Sequence, residues 1–184
     1  PVYLRPLMDE KYGLQTSISS DELISACEEH PDASAVLITS PNYYGMLSDI
    51  RRLSDITHEF GKILIVDQAH GAHLRFMDYE AEYREYEIRQ KKTELSKPDK
   101  SPGTNKPVKT AAEGLGADIV VNSTHKTLLS FTGTGILNVC SDRIDIDRVS
   151  EILRMLQTTS PSYLLMGSLD INEKIMRKHG MEIM

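Results

Sequence analysis

Asp67 and Lys126 are the residues whose types and placement point most directly to chemistry. Asp67 follows the apolar run Ile63-Leu64-Ile65-Val66. Its carboxylate is partly withdrawn from water and wants a cationic partner. Lys126 lies just past Ile119-Val120-Val121, beside His125 and among small hydroxyl residues. A lysine so placed can act as an amine nucleophile towards a carbonyl. One cofactor wants both groups. Pyridoxal 5'-phosphate needs an amine for its Schiff base and a carboxylate to keep its pyridine nitrogen protonated. The protonated ring then takes up electrons from a bond broken at the Cα of an amino-acid substrate. Plainer readings stand beside this one. Asp67 alone reads as a loop carboxylate or helix cap, and Lys126 alone as an exposed lysine. Asp67, His70 and His73 also have a metal-like spacing, which Gly71 and the preceding strand weaken. His30, His58 and His179 read as surface residues, and Tyr79, Tyr83 and Tyr86 as structural ones.

The elements that would position these groups alternate. A helix opens at Ser19-Ser20-Asp21-Glu22, carries Leu23, Ile24, Ala26 and Cys27 as its apolar stripe, and stops at His30-Pro31. Ala35–Thr39 is a continuous apolar run of strand length, which reads as buried on both faces of a parallel sheet. Asp49–Phe60 is a second helix, closed by Gly61. Strands follow at 63–66, 119–121 and 135–139, then helices at about 147–157 and 167–179. The pattern predicts an α/β fold, three-layer α/β/α with a mostly parallel sheet. The link from 121 to 135 is only about a dozen residues without a clear helix, so the fourth strand is expected to run antiparallel. Ligands of such sheets bind beyond the carboxyl ends of the strands. There the sequence delivers Ser40–Gly45, Asp67–His73 and Asn122–Lys126 to one rim.

Composition narrows the classes. The 184 residues carry 21 Lys+Arg against 27 Asp+Glu, a net charge of −6. That argues against nucleic-acid and membrane-surface binding, which need a basic face. No apolar run approaches the roughly 20 residues that span a bilayer, and the first residues carry no basic and apolar leader pattern. Two cysteines, Cys27 and Cys140, make no disulfide framework and suit a reducing, cytoplasmic setting. Residues 78–112 break the rhythm with mixed charge followed by a Pro- and Lys-rich stretch. They read as a solvated helix and mobile loop inserted in the domain, with an interaction arm as the alternative.

The motif residues resemble a known family. Ile63-Leu64-Ile65-Val66-Asp67-Gln68-Ala69-His70-Gly71-Ala72-His73 is similar to the aspartate motif of the bacterial Orn/Lys/Arg decarboxylases, which are fold-type-I pyridoxal-phosphate enzymes. Gly116–Thr127 resembles that family's cofactor-lysine motif, and Met155–Tyr163 the segment after its large-domain helix. The resemblance covers most of the chain outside 78–112. It implies an aspartate-aminotransferase-like large domain, in part, over 1–184. Lys126 would form the Schiff base, and Asp67 would pair with the pyridine nitrogen. Ala69 would pack on the ring, and His70 would reach its 3′-oxygen. Ser123 and His125 would help hold the phosphate. Ser160 would approach the cofactor, its own or a neighbouring subunit's, because the family's sites lie at a dimer interface, so a homodimer or higher oligomer is implied. The implied reaction is decarboxylation of Lys, Arg or Orn to a polyamine-type amine. Another fold-type-I reaction such as transamination, and a non-catalytic interaction piece, are the alternatives. Gln68 stands where the family commonly has an acidic residue, and 131–135 is an unusual version of the segment after the lysine. The family's upstream phosphate loop and C-terminal small domain have no counterpart in these residues. The isolated 184-residue chain is therefore expected to show little or no turnover.

Overall fold

A computed structural model describes residues 1–78 and 109–183. The helix expected over 78–94, its three tyrosines and most of the 78–112 insertion lie outside the described residues. A short hairpin comes first, β1 (Met8–Asp9) against β2 (Leu14–Gln15). Helix α1 (Ser20–Glu29) starts where Ser19 accepts a hydrogen bond from the Glu22 N–H, and it ends at His30. Strand β3 (Ala35–Thr39) leads to α2 (Ile50–Glu59), capped by Asp49, whose side chain accepts from the Arg52 N–H. Strand β4 (Ile63–Asp67) follows, and residues 74–78 are helical. After a 3-10 turn at Ala112–Gly114 come β5 (Ile119–Asn122) and the single turn α3 (Thr124–Thr127). Strand β6 (Ile136–Val139) and helices α4 (Ile146–Leu156) and α5 (Tyr163–Ile183) complete the chain. Among the described residues no helix is long and apolar enough to cross a membrane.

The four long strands form one sheet in the order β3-β4-β5-β6. The first three are parallel, with Leu37 beside Ile65 and Ile65 beside Ile119. The fourth is antiparallel, with Val120 opposite Asn138, as the short connection requires. That connection does hold a helical turn, α3, which the sequence pattern did not show; four residues are too few for an apolar period to declare itself.

The core lies on one side of the sheet. Val36, Ile38, Leu64, Val66 and Val120 pack there against Leu23 and Cys27 of α1 and Ile50, Leu53 and Ile56 of α2. Each of the larger aliphatics contributes about 1.5–3 kcal/mol by leaving water. Lys62, itself buried, donates through Nζ to the carbonyls of His30, Pro31 and Ala33, which satisfies the end of α1. The expectation of burial on both faces needs correcting. Leu37 is 65% exposed and Val121 37%, so among the described residues only one face of the sheet is covered at these positions. A continuous apolar run marks what a strand can bury, and the covering layer is a separate fact. Helix α4 likewise has no buried residue, although its apolar positions share one face.

His58 also departs from its surface assignment. Its Nε2 lies 2.8 Å from the fully buried Asp118 Oδ2, on the inner side of α2. Between the two elements, Gly116 has φ +99°, and a Cβ there would lie 2.5 Å from Ser54 Oγ. The Ser54 hydroxyl donates to the Gly116 carbonyl at 2.7 Å, so the two cannot move apart freely. Gly116→Ala is expected to destabilise the fold by about 2 kcal/mol through backbone strain and overlap. Urea unfolding is the measurement, and an unchanged midpoint would show that the turn relaxes.

Candidate active site

Adjacent residues of a strand point to opposite faces of its sheet. At the end of β4 this divides the labour. Asp67 belongs to the face that α1 and α2 leave open, beside Thr39 and Val121 in the register. Gln68 turns to the covered side and is 1% exposed. The Asp67 carboxylate accepts a hydrogen bond from the Ala69 N–H through Oδ1 at 3.0 Å, and this shapes the turn that follows. Its Oδ2 makes no hydrogen bond among the described residues.

The turn continues through His70 to Gly71. A Cβ on Gly71 would lie 2.6 Å from Pro41 Cδ and 2.7 Å from Gln68 Cγ. Only glycine lets the 67–73 turn sit this close to the loop after β3. That loop brings Tyr43 to His70, their rings meeting edge-on with centroids 5.8 Å apart. On the far side of His70, its Nε2 is 3.3 Å from Lys126 Nζ. Lys126 is exposed on α3, and its own N–H donates to the Ser123 carbonyl at 3.0 Å. Two of the rim segments expected from sequence, 67–73 and 122–126, therefore meet directly, and the 40–45 loop joins them through Tyr43.

His125 is held from behind. Its Nδ1 is 2.6 Å from the Thr134 carbonyl, which as an acceptor calls for the proton on that nitrogen. The Thr134 hydroxyl belongs to a buried cluster with Thr124 and Ser130, at 3.0 and 2.7 Å. This cluster ties the unusual 131–135 segment to α3. Ser123, at the N-terminal end of α3, uses its hydroxyl in no cap bond. Ser160 lies exposed between α4 and α5 and makes none of these contacts.

His73 is not gathered to the rim. Its Nδ1 and the Thr127 Oγ1 are both buried without a hydrogen-bond partner. They line a cavity of about 380 Å³ with Leu128, Leu129, Met176 and Ile183. Burial pushes the His73 pKa down, favouring the neutral ring. The Asp67, His70 and His73 side chains do not converge as a ligand set among the described residues. Helix α5 closes this side, Asn172 accepting from the Leu129 N–H and Ser168 from the Phe131 N–H.

Sequence reasoning did not single out Tyr43, Thr134 or Glu113. Glu113 sits behind the rim, its carboxylate accepting from the side-chain amides of Gln68, Asn122 and Asn138. Nothing in the Thr110–Gly114 stretch marks it, because its partners come from just after β4, the end of β5 and the inside of β6.

The chemistry available is that of an exposed amine beside an imidazole, near a strand-end carboxylate with one oxygen unused. A serine hydroxyl with spare capacity adds a fourth group. These are the groups that a pyridoxal phosphate would engage, so the residues fit it.

The model of the family described as Orn/Lys/Arg decarboxylase, major domain, matches residues 1–94 and 104–184. An arginine decarboxylase of Bacillus subtilis (strain 168) is 33% identical over the whole chain, which covers 32% of that relative. An arginine decarboxylase of Bacillus cereus is 31% identical over 98% of the chain, covering 33% of the relative. The chain thus spans about a third of the length of these relatives. Among solved structures, one of a complex between SepCysS and the SepCysE N-terminal domain aligns with 85% of the chain and 32% of its own, at 17% identity and a TM-score of 0.48.

Proposed function

The chain belongs to the Orn/Lys/Arg decarboxylase family, within its major domain, and on that premise we propose that it carries the cofactor-lysine part of a pyridoxal-phosphate-dependent decarboxylase of a basic amino acid. The observation that carries the reading is the meeting of Lys126 with His70 at the open rim beside Asp67. When bound, pyridoxal phosphate supplies the electron sink for the bond broken at the substrate's Cα.

The chain's own residues then have distinct tasks. Lys126 would hold the cofactor covalently through Nζ. Asp67, with Oδ2 unused, would accept from the ring N–H and keep that proton in place. Ala69 follows as a small side chain for the ring to lie against. His70 shares a proton with Lys126 Nζ, and it is oriented by Tyr43. His125, with Nδ1 committed to Thr134, has Nε2 left for the phosphate, and the Ser123 hydroxyl is available for the same group. Ser160, exposed on its linker, is proposed to act towards the site of a second subunit in a homodimer or higher oligomer. The substrate is an amino acid, with arginine the first to test, since arginine decarboxylase is the name the two Bacillus relatives described above carry. Cys27 and Cys140 are both free thiols, which suits the proposed cytoplasmic setting.

The test uses the complete gene product with added pyridoxal phosphate. Arg, Lys and Orn labelled in the carboxyl group are supplied in turn. Release of labelled CO2 from one of them is the expected result. Label retained in a 2-oxo acid would replace decarboxylation by transamination. No cofactor uptake and no product would leave the non-catalytic reading.

A further inference from the structure

Gln68 and Glu113 occupy the covered side of the sheet, directly behind the Asp67–Ala69 turn. The orientation of the Gln68 amide is fixed by its surroundings. Its Oε1 accepts from the Ala112 backbone N–H at 2.8 Å, and a backbone N–H can only donate. Its Nε2 therefore faces Glu113 Oε2 and Asn122 Oδ1, both at 3.0 Å. The other Glu113 oxygen accepts from Asn122 Nδ2 at 2.8 Å and Asn138 Nδ2 at 3.2 Å. One carboxylate thus ties together the residue after β4, the last residue of β5 and a residue of β6. The backbone adds a bond, the Gln68 N–H donating to the Val121 carbonyl at 2.8 Å.

This network accepts one negative charge and no more. An acidic residue at 68 would set a second carboxylate about 3 Å from Glu113, where two like charges repel strongly. A neutral amide at 113 would turn an NH2 group towards amides that also donate. Gln68 and Glu113 therefore form a complementary pair, in which the charge sits at 113 because 68 is neutral.

We propose that Glu113 is a positioning residue of the site: by anchoring Gln68 from behind, it holds the Asp67–Ala69 turn in the shape that presents Asp67 to the cofactor. The proposal rests on reading Asp67 as the cofactor-facing carboxylate. Its structural half, the anchoring of the turn, stands on the geometry alone.

The experiment compares Glu113→Gln, Gln68→Glu and the double exchange Gln68→Glu/Glu113→Gln in the complete gene product. Cofactor uptake is followed by titration with pyridoxal phosphate, and hydrogen exchange is read at the Ala69 and Leu64 amides. Each single variant is expected to weaken uptake by about tenfold, as an unsatisfied buried polar group would. The double exchange is expected to recover part of the loss, because the 68–113 contact is again acid to amide while Asn122 Oδ1 still faces a carboxylate at 68. Exchange at Ala69 should quicken in the single variants and slow again in the double, with Leu64 little changed. Parent-like uptake and Ala69 exchange in Glu113→Gln would overturn the proposal. So would a double variant no better than the worse single one, or Leu64 quickening as much as Ala69, which would mean general loosening. If the parent itself takes up no cofactor, the reading of the site fails. In that case the Ala69 response still decides whether Glu113 anchors the turn.

Discussion

Lys126→Ala in the complete gene product is expected to lower turnover by about ten-thousand-fold and to remove the absorbance of bound cofactor. The reason is that, among the described residues, Lys126 is the lysine whose amine meets His70 at the rim. Lys126 is set on the single turn α3 just beyond β5, and its Nζ meets His70 across the rim. The flanking histidine and threonines offer no replacement nucleophile towards an aldehyde. His70→Ala should be milder, about a hundredfold, because it removes a proton partner and leaves the covalent anchor. The order of the two effects is as informative as their size. Equal losses would mean that both changes simply disturb the rim. Survival of absorbance and turnover in Lys126→Ala would refute the enzymatic reading and favour an interaction piece.

The second large effect concerns stability. Asp118 is fully buried. Its Oδ2 accepts from His58 Nε2 and from the Leu64 N–H, both at 2.8 Å, and its Oδ1 from the Ser141 hydroxyl. Burial pushes its pKa up, but the bonds from Ser141, Leu64 and His58 outweigh it, and the carboxyl ends below its usual value of 3.8. Asp118→Ala is expected to cost about 3 kcal/mol, since three donors lose their acceptor inside the fold. The pH dependence has a definite sign. A carboxyl whose folded pKa is lowered contributes stability above its unfolded value, and that contribution is lost as pH falls through the folded value. The parent should therefore lose this share of stability below about pH 4, and Asp118→Ala should lack that part of the decline. Urea midpoints of the two proteins across the acid range are the measurement. Parallel curves would show that Asp118 is not the group responsible.

Much of this architecture was legible in sequence because its signals are local. The Ser19 and Asp49 caps, the His30-Pro31 stop and the aliphatic runs each act within a few residues, and the helices and strands fall close to where they point. The antiparallel β6 followed from the shortness of the connection and its lack of a clear helix in the sequence. The chain positions of Asp67, His70 and Lys126 were equally plain, and the structure brings the last two together. What stayed hidden is non-local. Glu113 matters through Gln68, Asn122 and Asn138, and His58 through Asp118, sixty residues away in the chain. A side chain's type does not reveal whether its partner arrives from another strand. The β1–β2 hairpin was missed for another reason. Its strands are two residues each, too short for any alternation to show. Burial on both faces was over-read, because a strand's apolarity reports its preference and not its neighbours.

The pairing of Ile65 in β4 with Ile119 in β5 joins two neighbours in space that are far apart along the chain. Everything between them must be closed into one loop before that ladder can form. The entropy of closing a flexible loop rises only with the logarithm of its length, about 0.6 kcal/mol for each doubling. Equilibrium stability is therefore nearly indifferent to how many residues separate the two rim segments. The speed of folding is not, because distant pairing has to be found before it is rewarded. The Ile65–Ile119 ladder thus weighs on the time this fold needs to form more than on its final stability.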